Sequence, residues 1–104
     1  MGKVSRMNAK PKVPALCAAI DDKRRISFVY HEKPRIAEPQ CYGISTAGKE
    51  ALRVFLIEGV SREREPLFTV AEMEGLTLLK ETFTKPGPNY KRGDSAMRFI
   101  FCEL

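Results

Sequence analysis

The amino-acid sequence predicts a mainly β fold, a small SH3/Sm-like barrel of about five to six antiparallel strands with one N-terminal helix. Short segments in which apolar and polar residues alternate occur along most of the chain. One stretch alone has helical periodicity, and no alternation of strands with helices suggests a parallel sheet. The length of 104 residues suits a single domain with one core.

The helix is predicted at the start of the apolar pattern. Val13, Leu16, Cys17 and Ile20 recur at the spacing of one helix face, and Pro14 suits the first helical turn, where no backbone N–H is needed. We expect a short helix that ends near residue 23 and lies across one side of the sheet.

Two strands follow the helix. Ile26, Phe28 and Tyr30 alternate with polar or smaller residues, which predicts an inward-facing aromatic side on the first strand. Residues 32–34 form a turn, and residues 35–45 form a second, broken strand. Because Pro39 cannot donate to a ladder, that strand must have an edge or a bulge there.

The remaining strands are shorter. Residues 52–57 are largely apolar on both faces, which predicts a central third strand after a hairpin turn at 46–49. We expect a solvated, mixed-charge loop at 62–65, a bend at 71–75, and a final strand from Met97 to Cys102. The fourth and fifth strands are predicted at residues 67–70 and 76–80.

The chain divides by composition into three parts. Residues 1–12 form a predicted flexible basic arm with four cationic side chains and no acid, residues 13–84 form the barrel domain with its leading helix, and residues 85–104 form a Pro/Gly linker and a C-terminal strand. The formal net charge of +5 favours polyanionic partners, although a basic arm also serves simply for solubility.

The cysteines and the apolar runs exclude several classes of protein. Cys17, Cys41 and Cys102 are odd in number and widely spaced, which argues against a disulfide framework and against a zinc site, and Cys17 and Cys102 are expected to be small buried hydrophobes. No apolar run approaches the roughly 20 residues of a membrane span, and we expect no secretory signal because residues 1–6 contain no apolar region. We therefore expect a cytoplasmic protein with no membrane contact, metal or cofactor.

No catalytic constellation is evident. The single histidine, His31, has no nucleophile or ligand near it in the sequence, and the adjacent Asp21 and Asp22 point in different directions on a helix. The sequence therefore predicts a non-enzymatic protein.

The order of these motifs resembles a WYL domain, a small barrel that bacterial regulators use to sense ligands or nucleic-acid strands. The matching residues cover about residues 15 to 83 and are Ala19-Ile20, Arg25, Tyr30, Arg35, Pro39 and Phe68. The chain has Ala51-Leu52-Arg53 where the family signature has Trp-Tyr-Leu, and Glu72 where many members have an arginine.

The resemblance implies a basic ligand surface that includes Arg35, Arg25 and Arg53. Arg35 is the leading candidate because it directly follows the turn and its position matches the family. Independently, a guanidinium offers a planar fork of donors to phosphate or carboxylate, and Tyr30 and Tyr42 are candidate stacking faces. The structural alternatives are an ion pair of Arg35 with Glu38 or Glu32, and a core position for Tyr30.

Two functions from different classes follow. The first is a stand-alone regulatory module that binds single-stranded nucleic acid or a small anionic effector. The second is a protein-interaction or oligomerisation module in which the strand from Met97 to Cys102 adds to a neighbouring sheet, either in a homo-oligomer or on a partner regulator.

Overall fold

The computed structural model describes residues 10–59 and 62–104. Most of the predicted basic arm, residues 1–9, lies outside these ranges. The described chain contains one α-helix and six strands in a single sheet, which confirms the mainly β fold with one helix. In chain order the elements are α1 (Pro14–Asp21), β1 (Arg24–Tyr30), β2 (Lys33–Ser45), β3 (Glu50–Glu58), β4 (Leu67–Thr69), a 3₁₀ turn (Val70–Glu72), β5 (Met73–Thr82) and β6 (Met97–Glu103).

β2 is the central strand of the sheet, and all its pairings are antiparallel. It pairs with β3 along one edge, while its other edge pairs with β1 over its first half and with β6 over its second half. The full order is β4-β3-β2-β1-β5, with β6 beside β2. β3 is paired on both edges, by β2 and by the short β4, in agreement with its two apolar faces.

Pro39 lies at an irregularity in this central strand. The register between β2 and β3 shifts between Pro39 and Cys41, and the β1 and β6 partners leave Pro39 between them. The proline therefore occupies a position where no N–H is required, and the predicted bulge is confirmed.

The predicted bend at 71–75 is shorter in the structure. The 3₁₀ turn ends at Glu72, and β5 already begins at Met73. β5 then accommodates Gly75, at a φ of 64°, as an irregularity in its pairing with β1 between Glu74 and Thr77. Glycine, which adopts a positive φ with little strain, is a signal of both a bend and a bulged strand.

The sheet is strongly curved. β4 and β5 are at opposite ends of the strand order, so in a flat sheet they would lie roughly 19 Å apart. The 3₁₀ turn that joins them spans only about 8 Å. The sheet must therefore curl until its two ends approach, as a small barrel requires; the SH3/Sm-like class itself stays a prediction.

The core lies inside this curved sheet and is covered by α1. The helix buries Leu16, Ala19 and Ile20, and it packs against β1, β2 and β6. Phe28 and Phe68 meet edge to face, with ring centroids 5.2 Å apart. The other buried apolar residues of this cluster are Ile26, Ala37, Tyr42, Leu52, Val54, Leu56 and Val70. Within the described ranges no helix is long and apolar enough to cross a membrane.

Cys17 and Cys102 form a disulfide, and the prediction that they are unpaired is wrong. Their Cα atoms are 5.7 Å apart, because α1 packs across the strand that carries Cys102. The two cysteines are 85 residues apart, so local spacing contains no signal of the pairing. Disulfides are typical of oxidising compartments, whereas the cytoplasmic prediction came from the lack of a membrane-spanning run and of a secretory signal; it stays a prediction.

A second, smaller apolar cluster lies on the opposite face of β2 and β3. Cys41, Ala51 and Met97 are buried there, with Leu67 and Ile100 packed against them. Burial raises the pKa of the Cys41 thiol to about 12, with smaller contributions from nearby carboxylates. The C-terminal segment therefore packs against both faces of the sheet and is an integral part of the fold.

Candidate functional site

Arg35 and Tyr30 are the two predicted site residues that the structure brings into contact. The guanidinium of Arg35 donates to the carbonyl oxygens of Tyr30 at 3.2 Å and Gly59 at 3.0 Å. It also lies 5.9 Å from the ring centroid of Tyr30 and 5.6 Å from that of Phe68. Among the described side chains, Arg35 forms an ion pair neither with Glu38 nor with Glu32, the two alternatives considered from the sequence.

The donors of Arg35 are largely used within the protein. A further donor contacts the Lys33 carbonyl, so this side chain ties together the start of β2, the end of β1 and the end of β3. The hydroxyl of Tyr30 accepts from the backbone N–H of Thr69 at 3.1 Å and joins β1 to β4. These contacts give both residues a structural role in the closure of the curved sheet.

Arg25 and Tyr42 lie elsewhere. Arg25 pairs with Glu38 across β1 and β2, with 2.9 Å between Nε and Oε2. Tyr42 is fully buried, and its hydroxyl donates to Glu50 at 2.5 Å. The stacking role predicted for Tyr42 is contradicted by this burial, because its ring presents no exposed face.

Arg53 lies on the outer face of β3, in a cleft of about 670 Å³. Alternation along β3 turns Leu52 and Val54 into the core and Arg53 away from it. The walls of this cleft are two connecting segments, residues 62–65 and residues 89–95. We call this site the polar cleft.

Arg53 fixes both walls of the polar cleft to the sheet. Its Nε and a terminal nitrogen donate to the two oxygens of Asp94 at 2.8 and 3.3 Å, and its other terminal nitrogen donates to the Glu65 carbonyl at 3.1 Å. The hydrogen bonds from Arg53 hold the pKa of Asp94 below its ordinary value, despite the opposing effect of burial. Through Asp94, Arg53 holds the 89–95 wall to β3, and through Glu65 it holds the 62–65 wall.

A buried network of hydrogen bonds around Gln40 and Glu65 also holds these two walls to the sheet. Glu65 is 7% exposed, so the predicted 62–65 loop is not solvated throughout. Its carboxylate accepts from the Gln40 side chain at 3.2 Å and from the Asn89 N–H at 3.0 Å. Gln40 in turn accepts from the Gly87 N–H at 2.6 Å. These bonds satisfy the buried polar atoms and hold residues 87–89 on the sheet.

The cationic groups of the polar cleft outnumber the acidic ones. Five arginine and lysine side chains line it against three carboxylates. Asp94 is paired with Arg53, and the Glu65 carboxylate is occupied by the buried network, which leaves Glu63 as the exposed acid. The cationic residues other than Arg53 are Arg62, Arg64, Lys91 and Arg92, all exposed.

An aromatic ring and two anchored arginines complete the cleft. Tyr90 is half-buried, and its hydroxyl donates to the main-chain oxygen of Leu104 at 2.8 Å. Arg92 pairs with Glu103 at 3.2 Å, and Arg64 lies 5.1 Å from the Phe55 ring centroid. The polar cleft thus offers cationic donors and one aromatic ring on a framework that is fixed by hydrogen bonds.

Sequence reasoning missed most of this cleft. It identified Arg53, but it assigned Arg62 and Arg64 to a solvated loop and treated residues 85–96 as a linker. A usable signal was present in Tyr90-Lys91-Arg92, an aromatic residue directly followed by two cations. No group of three or more His, Cys, Asp or Glu side chains in the described ranges is arranged to hold a metal ion.

Comparisons with known proteins gave no relative. No family model, no curated protein and no solved structure matches this chain.

Proposed function

We propose that this protein is a non-enzymatic module that binds single-stranded nucleic acid in the polar cleft. The observation that carries the proposal is the excess of cations over carboxylates around Tyr90 in one concave site. Phosphates are attracted by such a surface whatever the base sequence, and an aromatic ring provides a face for a base.

Two cations of the cleft are available to a ligand. Arg62 and Lys91 are exposed, and no ion pair or side-chain hydrogen bond engages either of them within residues 10–59 and 62–104. By contrast, Arg53 is held by Asp94 and Arg92 by Glu103. We expect Arg62 and Lys91 to contact phosphates, while the held arginines shape the cleft.

The resemblance to WYL domains supports the same class of function, the sensing of a ligand or a nucleic-acid strand. The resemblance favours Arg35 as the ligand contact, but the guanidinium of Arg35 donates hydrogen bonds to backbone carbonyls within the protein. We therefore propose that binding is centred on the polar cleft, and that Arg35 acts by holding the sheet in shape.

Fluorescence anisotropy with labelled single-stranded DNA and RNA tests the proposal. We expect binding that weakens steeply as salt is raised, because phosphate contacts release counterions. The double variant Arg62→Ala/Lys91→Ala should weaken binding by about tenfold and reduce the salt dependence, since two phosphate contacts are lost. Tyr90→Leu should weaken binding with little change in salt dependence, because stacking involves no counterions.

A charge-matched control is available elsewhere on the surface. Arg98 and Lys80 are exposed and do not line the polar cleft. Arg98→Ala/Lys80→Ala removes the same charge and should change affinity far less. Equal losses in the two double variants would mean that net charge, and not this cleft, attracts the strand, and would refute the proposal.

A second candidate function is self-association or partner binding through β6. β6 pairs with β2 along one edge, and no second strand pairs with it in the part of the chain that the structure describes. An open edge can accept a strand from another chain. Light scattering over a range of protein concentrations tests this function, and a mass that stays monomeric throughout would exclude self-association through that edge.

A further inference from the structure

A second cleft lies on a different part of the molecule. It has a volume of about 720 Å³ and is formed where the segment before α1, the hairpin between β2 and β3, the 3₁₀ turn and β6 meet. Three lysines, Lys10, Lys12 and Lys49, line it, and we call it the lysine-rimmed cleft. It shares no lining residue with the polar cleft.

Much of the lining of this cleft is apolar. Val13, Ile44, Val70 and Phe101 contribute side chains that are buried or half-buried. Phe101 is fixed from behind by Tyr42, whose ring centroid is 5.0 Å away. A surface of this kind accommodates an aliphatic chain or an aromatic ring.

The acidic groups of the cleft are already engaged within the protein. Glu50 accepts from the Tyr42 hydroxyl at 2.5 Å and from the Lys12 N–H at 2.9 Å. Glu72 lies 2.6 Å from Nε2 of His31. The three lysines are exposed, and across the described ranges no carboxylate pairs with their ammonium groups.

We propose that the lysine-rimmed cleft binds an amphipathic organic anion, a compound with an apolar chain or ring and one carboxylate or sulfonate group. The apolar part lies on Val13, Val70 and Phe101, and the anionic group lies among the lysine ammoniums. An amphipathic anion fits better than a neutral apolar molecule, because the lysine ammonium groups, unpaired within the described ranges, lie at the border of the apolar surface. This site is independent of nucleic-acid binding in the polar cleft.

Binding of 1-anilinonaphthalene-8-sulfonate to the full chain tests the proposal through the fluorescence of the probe. We expect one saturable site, from which decanoate displaces the probe. Decan-1-ol, with the same chain length and no charge, should be about tenfold weaker as a competitor. The triple variant Lys10→Ala/Lys12→Ala/Lys49→Ala should lose about tenfold in affinity for the probe.

A matched pair of variants localises the site. Ala71 is exposed and lines the cleft. Ala71→Glu adds a negative charge there and should weaken probe binding several-fold relative to Ala71→Gln, which has nearly the same shape. Equal binding by these two variants, equal competition by decanoate and decan-1-ol, or unchanged affinity in the triple lysine variant would each overturn the proposal.

Discussion

Gly43 is the position at which β6 passes close to the backbone of β2. A Cβ atom at this residue would meet the Phe99 carbonyl oxygen and would lie 2.9 Å from the Ile100 Cα, and neither backbone atom can move away as a flexible side chain would. Glycine is therefore required here by space and not by an unusual φ angle.

We expect Gly43→Ala to destabilise the protein by about 3 kcal/mol, because β6 must separate from β2 to admit the methyl group. The free energy of unfolding from urea titrations measures this effect. Gly75→Ala is the control: Gly75 has a φ of 64° and open space around it, so backbone strain alone should cost about 1 kcal/mol. A Gly43→Ala variant as stable as Gly75→Ala would contradict the close approach of the strands.

Asp94 contributes a pH-dependent part of the stability. Its pKa in the folded protein is lower than its ordinary value of 3.8, chiefly because Arg53 donates hydrogen bonds to it. A lowered folded pKa means that the stabilisation is fully present above about pH 4 and is lost as the pH falls through the folded value.

Asp94→Asn should therefore reduce the free energy of unfolding by about 1–3 kcal/mol near neutral pH. The difference from the native protein should shrink in acid, where both side chains are neutral. Urea titrations at neutral and acidic pH measure it, and Glu63→Gln, which neutralises an exposed acid of the same cleft, is the control. A pH-independent difference would show that the variant acts through packing and not through charge.

At the scale of whole elements, the disulfide joins α1 to β6. It closes a loop between residues 85 apart, so it strongly limits the freedom of the unfolded chain. We expect reduction to lower the free energy of unfolding by about 3–4 kcal/mol. Urea titrations with and without a reductant measure this, and a Cys17→Ser/Cys102→Ser variant should be insensitive to the reductant.

Thiol titration in denaturant provides a direct check of the pairing. Cys41 is the free cysteine, so without reductant it alone should react once the chain is unfolded. A Cys41→Ala variant should then show no reactive thiol unless it is reduced. Reaction of Cys17 or Cys102 without reductant would contradict the disulfide.

Local pattern was sufficient to predict the order and approximate limits of most elements. Alternation identified β1 and β3, the helical stripe identified α1, and the proline in β2 marked its bulge, because each signal lies within a few neighbouring residues. The disulfide and the pairing of β6 with β2 depend on residues far apart in the sequence, where periodicity gives no information.

The candidate site was harder to predict from the sequence, because its residues also come from distant parts of the chain. Arg53 was identified, but its partner Asp94 is 41 residues away in a segment that looked like a linker. Conversely, Arg35 and Tyr42 have residue types suited to ligands, yet their polar atoms are used by nearby backbone or by Glu50. Residue type indicates what a side chain can bind, whereas tertiary contacts decide whether it remains free.

At the scale of the whole molecule, β2 organises the sheet. It is bounded by β3 on one edge and by β1 and β6 on the other, and residues 37–43 are all buried. We expect the backbone amides of β2 to exchange with solvent most slowly, because their opening requires the sheet to separate.

Hydrogen exchange measured by NMR tests this expectation. β4 and β5, at the ends of the strand order, should exchange faster than β2. Gly43→Ala should accelerate exchange in the second half of β2 more than in the first, since β6 pairs only with the second half. Uniform acceleration along β2 would mean that the strand opens as one unit with the whole sheet.

The bond between Cys17 and Cys102 also determines how the chain transmits mechanical tension. A stretching force applied outside these two residues passes from helix to strand through the covalent bridge, and the strand ladders between them carry none of it. Under a pulling force the oxidised protein should lengthen only outside the bridged loop, whereas the reduced protein should unravel strand by strand.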